Sequence, residues 1–173
     1  MDLLSLFPAW LLEHGVAFAI VLPLLMGAIT AILPSRTLAW WTTFIVTLLV
    51  TVTSFGLVLQ MVSEGTTVYS MGGWDPPHGI SLVVDALSAP VLLLISTMAV
   101  LTVIYGMPAT VAEVEPKKRA PFYAAFLLCF AGLMGMVVTG DAFNVFVFLE
   151  VSSISTYALV AMGSARDLSL IHI

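Results

Sequence analysis

Apolar residues run along this chain in blocks, broken by short clusters of charge, glycine and proline. A bilayer core of about 30 Å takes roughly 20 apolar residues as a helix. Five blocks meet that length, 16–33, 38–62, 84–106, 121–139 and 141–163, and each predicts a transmembrane helix. Pro23 and Pro90 fall inside the first and third blocks and could kink them, which membrane helices tolerate when neighbours satisfy the freed carbonyl. Between the second and third blocks lies SEGTTVYSMGGWDPPHGISLVV (63–84). Its β-branched and aromatic runs, TTVY and ISLVV, flank a turn-rich GGWDPPHG, so a short β-hairpin outside the membrane is expected; an irregular loop is the alternative. The pattern therefore predicts an all-α polytopic membrane protein, one membrane domain over 1–173, with an extracytoplasmic hairpin.

Composition agrees with the pattern. The chain is 61% hydrophobic and 9% charged, with a mean hydropathy of +1.14, whereas a soluble domain carries about 25% charged residues. Such a chain cannot cover itself with water-compatible groups, so its solvent is the lipid bilayer. The net charge of −5 resides in loops and termini, and without a basic stripe a nucleic-acid partner is excluded. A single cysteine, Cys129, within an apolar stretch rules out a disulfide framework or a cysteine metal site and suits helix packing. His14, His78 and His172 show no ligand spacing, so no metal is assigned, and no cofactor motif is present. The N-terminal MDLLSLFPAWLLEHG holds Asp2 and Glu13 but no Lys or Arg. It is not a cleavable signal, which needs a positive first region, so the first apolar segment is expected to remain in the mature protein.

Charge placement sets an orientation. With five spans, Arg36, the trio Lys117, Lys118 and Arg119, and Arg166 all fall on one side. By the positive-inside rule that side is cytoplasmic, which leaves the N-terminus, the 63–84 hairpin and the Gly140–Asp141 turn outside.

The candidate chemistry begins with VFVFLEVSSIS (145–155), a glutamate inside an apolar run. Glu150 follows Asp141 by nine residues, about 13 Å at 1.5 Å per residue, close to the bilayer midplane. An acidic residue there costs about 2.5–3.5 kcal/mol and normally faces the bundle interior. At 100° per residue, Ser153 and Tyr157 lie within about 60° of it, as do Phe143 and Phe146. One helical face thus carries a carboxyl, a hydroxyl and a phenol, a pattern that suits a polar line through the protein. Loss of water favours the neutral acid and a nearby cation the charged one. A glutamate balanced between the two can take and give a proton. The plainer reading is a protonated glutamate hydrogen-bonded across a helix interface, a task that Gln would perform without the risk of ionisation.

Asp85, in LVVDALSAP at the outer end of the third span, is either a helix-start residue favoured by the dipole or a group at a channel mouth. Asp141, in TGDAFN, reads as a helix cap. None of the five spans contains Lys or Arg, so a cation partner for an ionised Glu150 has to come from another subunit, a transported cation or further polypeptide.

YSMGGWDPPHGISLVVDALSA (69–89) and TGDAFNVFVFLEVSSISTYALVAMG (139–163) resemble the antiporter-like membrane subunits shared by Mrp-type multisubunit Na+/H+ antiporters and the proton-pumping arm of respiratory complex I. The motifs look most like the D-type member of the Mrp antiporters, and the resemblance runs from about residue 16 onward. It implies that Glu150 matches the glutamate on the family's fifth helix that takes part in proton movement, that Asp85 matches an aspartate starting the third helix, and that 66–84 match a hairpin on the outer face. Members have a dozen or more helices, with two inverted five-helix repeats and lysines in broken helices. Here the first repeat would begin near residue 121 with two of its helices present, and the pairing lysine would lie beyond Ile173. The chain is therefore expected to be an N-terminal fragment.

The expected function is that of a bacterial inner-membrane subunit of a monovalent cation/proton antiporter. Its partners would be other membrane subunits, H+ and Na+ or K+, with Glu150, Ser153, Tyr157 and Asp85 as proton-transfer candidates. A redox-driven pumping subunit of a quinone oxidoreductase or membrane-bound hydrogenase shares the fold. A membrane scaffold that moves no ions is the third alternative.

Overall fold

The structure, a computed structural model, describes residues 7–74 and 79–163. Helix α1 (Ala9–Ala31) leads into α2 (Arg36–Glu64), then strands β1 (Thr67–Ser70) and β2 (Ser81–Val84), then α3 (Ser88–Glu113), α4 (Arg119–Val138) and α5 (Ala142–Met162). Among the described residues these five helices are long and apolar enough to cross a membrane. His78, Arg166 and His172, with the rest of 75–78, lie outside the described residues.

Two helix ends differ from the apolar blocks. Helix α1 starts at Ala9 rather than 16, just after Pro8 in extended conformation. Its first turns carry Glu13 and His14, too polar for an apolar block yet compatible with a helix that projects past the lipid. The third helix spans 88–113, not 84–106, because Val84 is already paired in β2. Pro90 consequently sits in the first turn, where no N–H is required. Pro108, which the sequence pattern places after the helix, is inside it. The carbonyls at the far end of α3 find a donor in Arg119: its Nε donates to Val114 O at 3.0 Å and its Nη2 to Val111 O at 2.6 Å.

Several threonines of helix α2 bond to its own backbone. Thr43, Thr47, Thr51 and Thr53 each donate to the carbonyl four residues back at 2.8–3.0 Å, which satisfies them where no water reaches, while the buried Ser54 Oγ has no partner among the described residues. The helix ends at Gly65, whose φ of 85° suits the reversal into β1.

The hairpin pairs β1 with β2 in antiparallel register, Thr67 opposite Val84 and Ser70 opposite Ser81. Alternation turns Leu82 and Val84 inward, both almost fully buried against the bundle end. A bridge joins Leu82 to Thr139, and Gly140 N–H donates to Ser81 O at 2.9 Å, so the hairpin is hooked onto the α4–α5 turn. His14 meets it from α1, with Nδ1 3.2 Å from Tyr69 Oη.

Helix α4 is the centre of the bundle, packed between α1 and α5, while α2 joins α1 to α3. Its small residues permit this closeness. A Cβ added to Gly132 would stand 2.8 Å from Phe148 O and Ser152 N of α5.

Candidate functional site

Helix α5 is positioned first by its cap. Asp141 Oδ1 accepts from Phe143 N–H at 3.2 Å and Oδ2 from Asn144 Nδ2 at 2.8 Å, the capping role expected for TGDAFN. Its buried face is then Asn144, Ser152 and Ser155, with Phe148 lying across Gly132 and Gly135 of α4. Cys129 of α4 meets that face: its Sγ is 3.6 Å from Ser152 Oγ and 3.3 Å from Thr156 Oγ1. Thr156 also donates back to Ser152 O at 2.8 Å.

This contact fixes where Glu150 points. Ser152 is two positions further along, a rotation of about 200°, so the two lie about 160° apart around the axis. Glu150 is accordingly exposed. Phe143, Phe146 and Tyr157 share its outward face at 72%, 60% and 73% exposure, and Ser153 is half-buried. Glu150, Ser153 and Tyr157 therefore do form one stripe on α5. The stripe faces away from the five-helix bundle, against the expectation that an intramembrane acid turns inward. The glycines of α4 admit the Ser152 and Phe148 side of α5 at close range, and among the described residues no helix lies against the opposite face.

Asp85 stands apart from that stripe, in the link between β2 and α3. Its Oδ1 accepts from Leu87 N–H at 3.0 Å and from Ser88 N–H at 2.7 Å, while its own N–H donates to Ser88 Oγ at 2.8 Å. This reciprocal pair is a capping box. The bond from the Ser88 amide, then those from the Ser88 hydroxyl and the Leu87 amide, lower the carboxyl's pKa below its ordinary 3.8. The geometry is that of a helix start, the first of the two readings left open for this residue.

No family profile matches the chain. Over 163 residues, 88% of its length, it is 35% identical to the D component of a probable K+/H+ antiporter of Rhizobium meliloti, of which it covers 29%. Over 100 residues, 58% of its length, it is 43% identical to the N component of the NADH-quinone oxidoreductase of Desulforudis audaxviator, of which it covers 20%. Its fold superposes on a chain of the Mrp complex from Dietzia sp. DQ12-45-1b with a TM-score of 0.77 and 29% identity, over 86% of this chain and 27% of that one. The chain is a relative of the antiporter-like membrane subunits. It spans between a fifth and three tenths of the length of the relatives named here.

In this chain the two ends of the bundle are chemically distinct. Arg36 and Arg119 line one cavity at the end where α2 and α4 begin, while the hairpin closes the end where α4 finishes. Two features of this architecture escaped the sequence. The carbonyl-capping Arg119 read simply as one of a cluster of loop cations, and Thr156 was not linked to Cys129 because nothing in either helix alone registers the other. The Gly132 and Gly135 pair on α4 was the available signal for where α5 would press.

Proposed function

We propose that residues 1–173 form one membrane domain of a monovalent cation/proton antiporter subunit and that Glu150 is its protonatable relay. Ser153 and Tyr157 are the hydroxyl groups nearest to it along the path. The observation that carries this reading is a carboxyl eight residues into α5, about 12 Å from the helix start at 1.5 Å per residue, on the face that no other helix of the bundle covers. Left against acyl chains that carboxyl would cost about 2.5–3.5 kcal/mol. A polar membrane element packed over the stripe removes the cost and completes a route for protons. The basic end at Arg36 and Lys117–Arg119 is cytoplasmic in this reading, with the N-terminus and hairpin on the opposite side. Asp85 serves as a cap; its carboxyl is engaged by the Leu87 and Ser88 amides, which favour the ionised form.

The test is Glu150→Gln in the complete assembly, assayed in everted membrane vesicles for proton movement on addition of Na+ or K+. Flux should be abolished with assembly unchanged. Full retained flux refutes the relay.

The 43% identity to a quinone oxidoreductase component favours a second reading, in which the same stripe serves a redox-driven proton pump. Vesicles that acidify on addition of an electron donor, and not in response to a cation gradient, would identify it.

A further inference from the structure

We propose that the cavity between the starts of α2 and α4 is a binding site for an anionic phospholipid. The cavity holds about 300 Å³ and is lined by Arg36, Thr37, Trp40, Trp41, Met107 and Arg119, among others. Its polar corner is cationic without compensation. Among the described residues the ion pairs are His14 with Glu13 and Lys118 with Glu115, so neither arginine of the cavity has a carboxylate partner. Arg119 is only 6% exposed, and its bonds to Val111 and Val114 hold the guanidinium in place. They use two of its five N–H groups, leaving donors for an acceptor of opposite charge. Arg36 and the Thr37 hydroxyl, which makes no hydrogen bond among the described residues, open the first turn of α2, where backbone N–H groups also favour an anion.

The rest of the wall is apolar and aromatic, which decides between occupants. Trp40 is fixed by its indole, which donates to Val103 O at 3.1 Å, and by stacking on Phe44 at 5.5 Å with a 3° interplanar angle. Trp41 and Met107 stay about half exposed on the outer surface. Tryptophans at helix ends mark the headgroup level of a bilayer. A free phosphate would leave that apolar wall wet, whereas a phospholipid fills both halves. Its phosphate sits at the arginines and its acyl chain runs down beside Trp41 and Met107. Basic pockets between membrane helices have this preference for anionic headgroups.

The intact chain, purified in its membrane assembly, should retain phosphatidylglycerol over phosphatidylcholine in native mass spectrometry from an equimolar mixture. Arg36→Gln, at an exposed position, should weaken that retention about fivefold, the factor expected for one cation at a membrane surface. Arg36→Lys should restore most of it, and Lys117→Gln, outside the cavity, should leave it unchanged. Equal retention of both lipids, equal loss in Lys117→Gln, displacement by free glycerol phosphate, or an acidic protein found in the cavity in place of lipid would each overturn the proposal. These readouts are independent of proton flux, so they stand or fall separately from Glu150.

Discussion

Substituting Gly132 by alanine tests the contact on which the direction of Glu150 depends. The added Cβ would lie 2.8 Å from Phe148 O and Ser152 N and 2.9 Å from Ser152 Cβ. Ordinary contact begins near 3.4 Å, so the overlap is 3.4 − 2.8, about 0.6 Å. Two of the three obstructing atoms are backbone, and no rotamer change relieves them. Helix α5 must therefore move bodily from α4, which stretches the Cys129–Thr156 contact and opens the seam at Asn144. Overpacking of this kind costs about 1–3 kcal/mol, and the upper part of that range fits an obstruction by backbone. Gly106 of α3 is the control, since a Cβ there meets nothing within 4 Å and Gly→Ala in a helix is favourable by up to about 1 kcal/mol. Thermal unfolding in detergent, followed by loss of helical circular dichroism, should show Gly132→Ala clearly below the parent and Gly106→Ala level with it or above. Equal stability of the two variants would refute the close α4–α5 packing and, with it, the outward assignment of the Glu150 face.

Three further outcomes are expected. Asp85→Asn should speed hydrogen exchange at the Leu87 and Ser88 amides at neutral pH. In the parent, the depressed folded-state pKa means that the cap is fully present above the ordinary carboxylate value and is lost as pH falls through the lower one, so exchange there should rise only below about pH 4. Arg119→Gln should destabilise the chain by about 1–3 kcal/mol, the cost of orphaned buried acceptors; exchange at the end of α3 would localise the effect. Tyr69→Phe removes the partner of His14 and should lower hairpin protection by no more than about 1 kcal/mol, read from exchange at Thr67–Ser70.

The helices themselves were legible because lipid imposes a length and a polarity that show directly in the chain. Their ends were less so. The start of α1 carries Glu13 and His14, which an apolar count rejects, and α3 runs through Pro108, a residue that membrane helices tolerate inside them. The hairpin was visible in TTVY and ISLVV, but its attachment to Thr139 and Gly140 joins residues almost sixty positions apart and leaves no local trace.

The direction of α5 was illegible for a deeper reason. In water the apolar face of a helix turns inward, so periodicity alone orients it. In a bilayer the surroundings are as apolar as the core, and association follows small residues and polar contacts instead. Helix α5 has polar groups on two faces, Asn144, Ser152 and Ser155 on one and Glu150, Ser153 and Tyr157 on the other. Both could have met α4. The glycines of α4 accommodate the Ser152 side of α5 at backbone distance and give the Phe148 ring its place over Gly135, which leaves the face of Phe143, Phe146, Glu150 and Tyr157 turned outward. Under the proposed relay, an element packed on that second face has to offer a group able to bond a carboxyl. An element that satisfied only the phenylalanines would leave Glu150 as costly as lipid does.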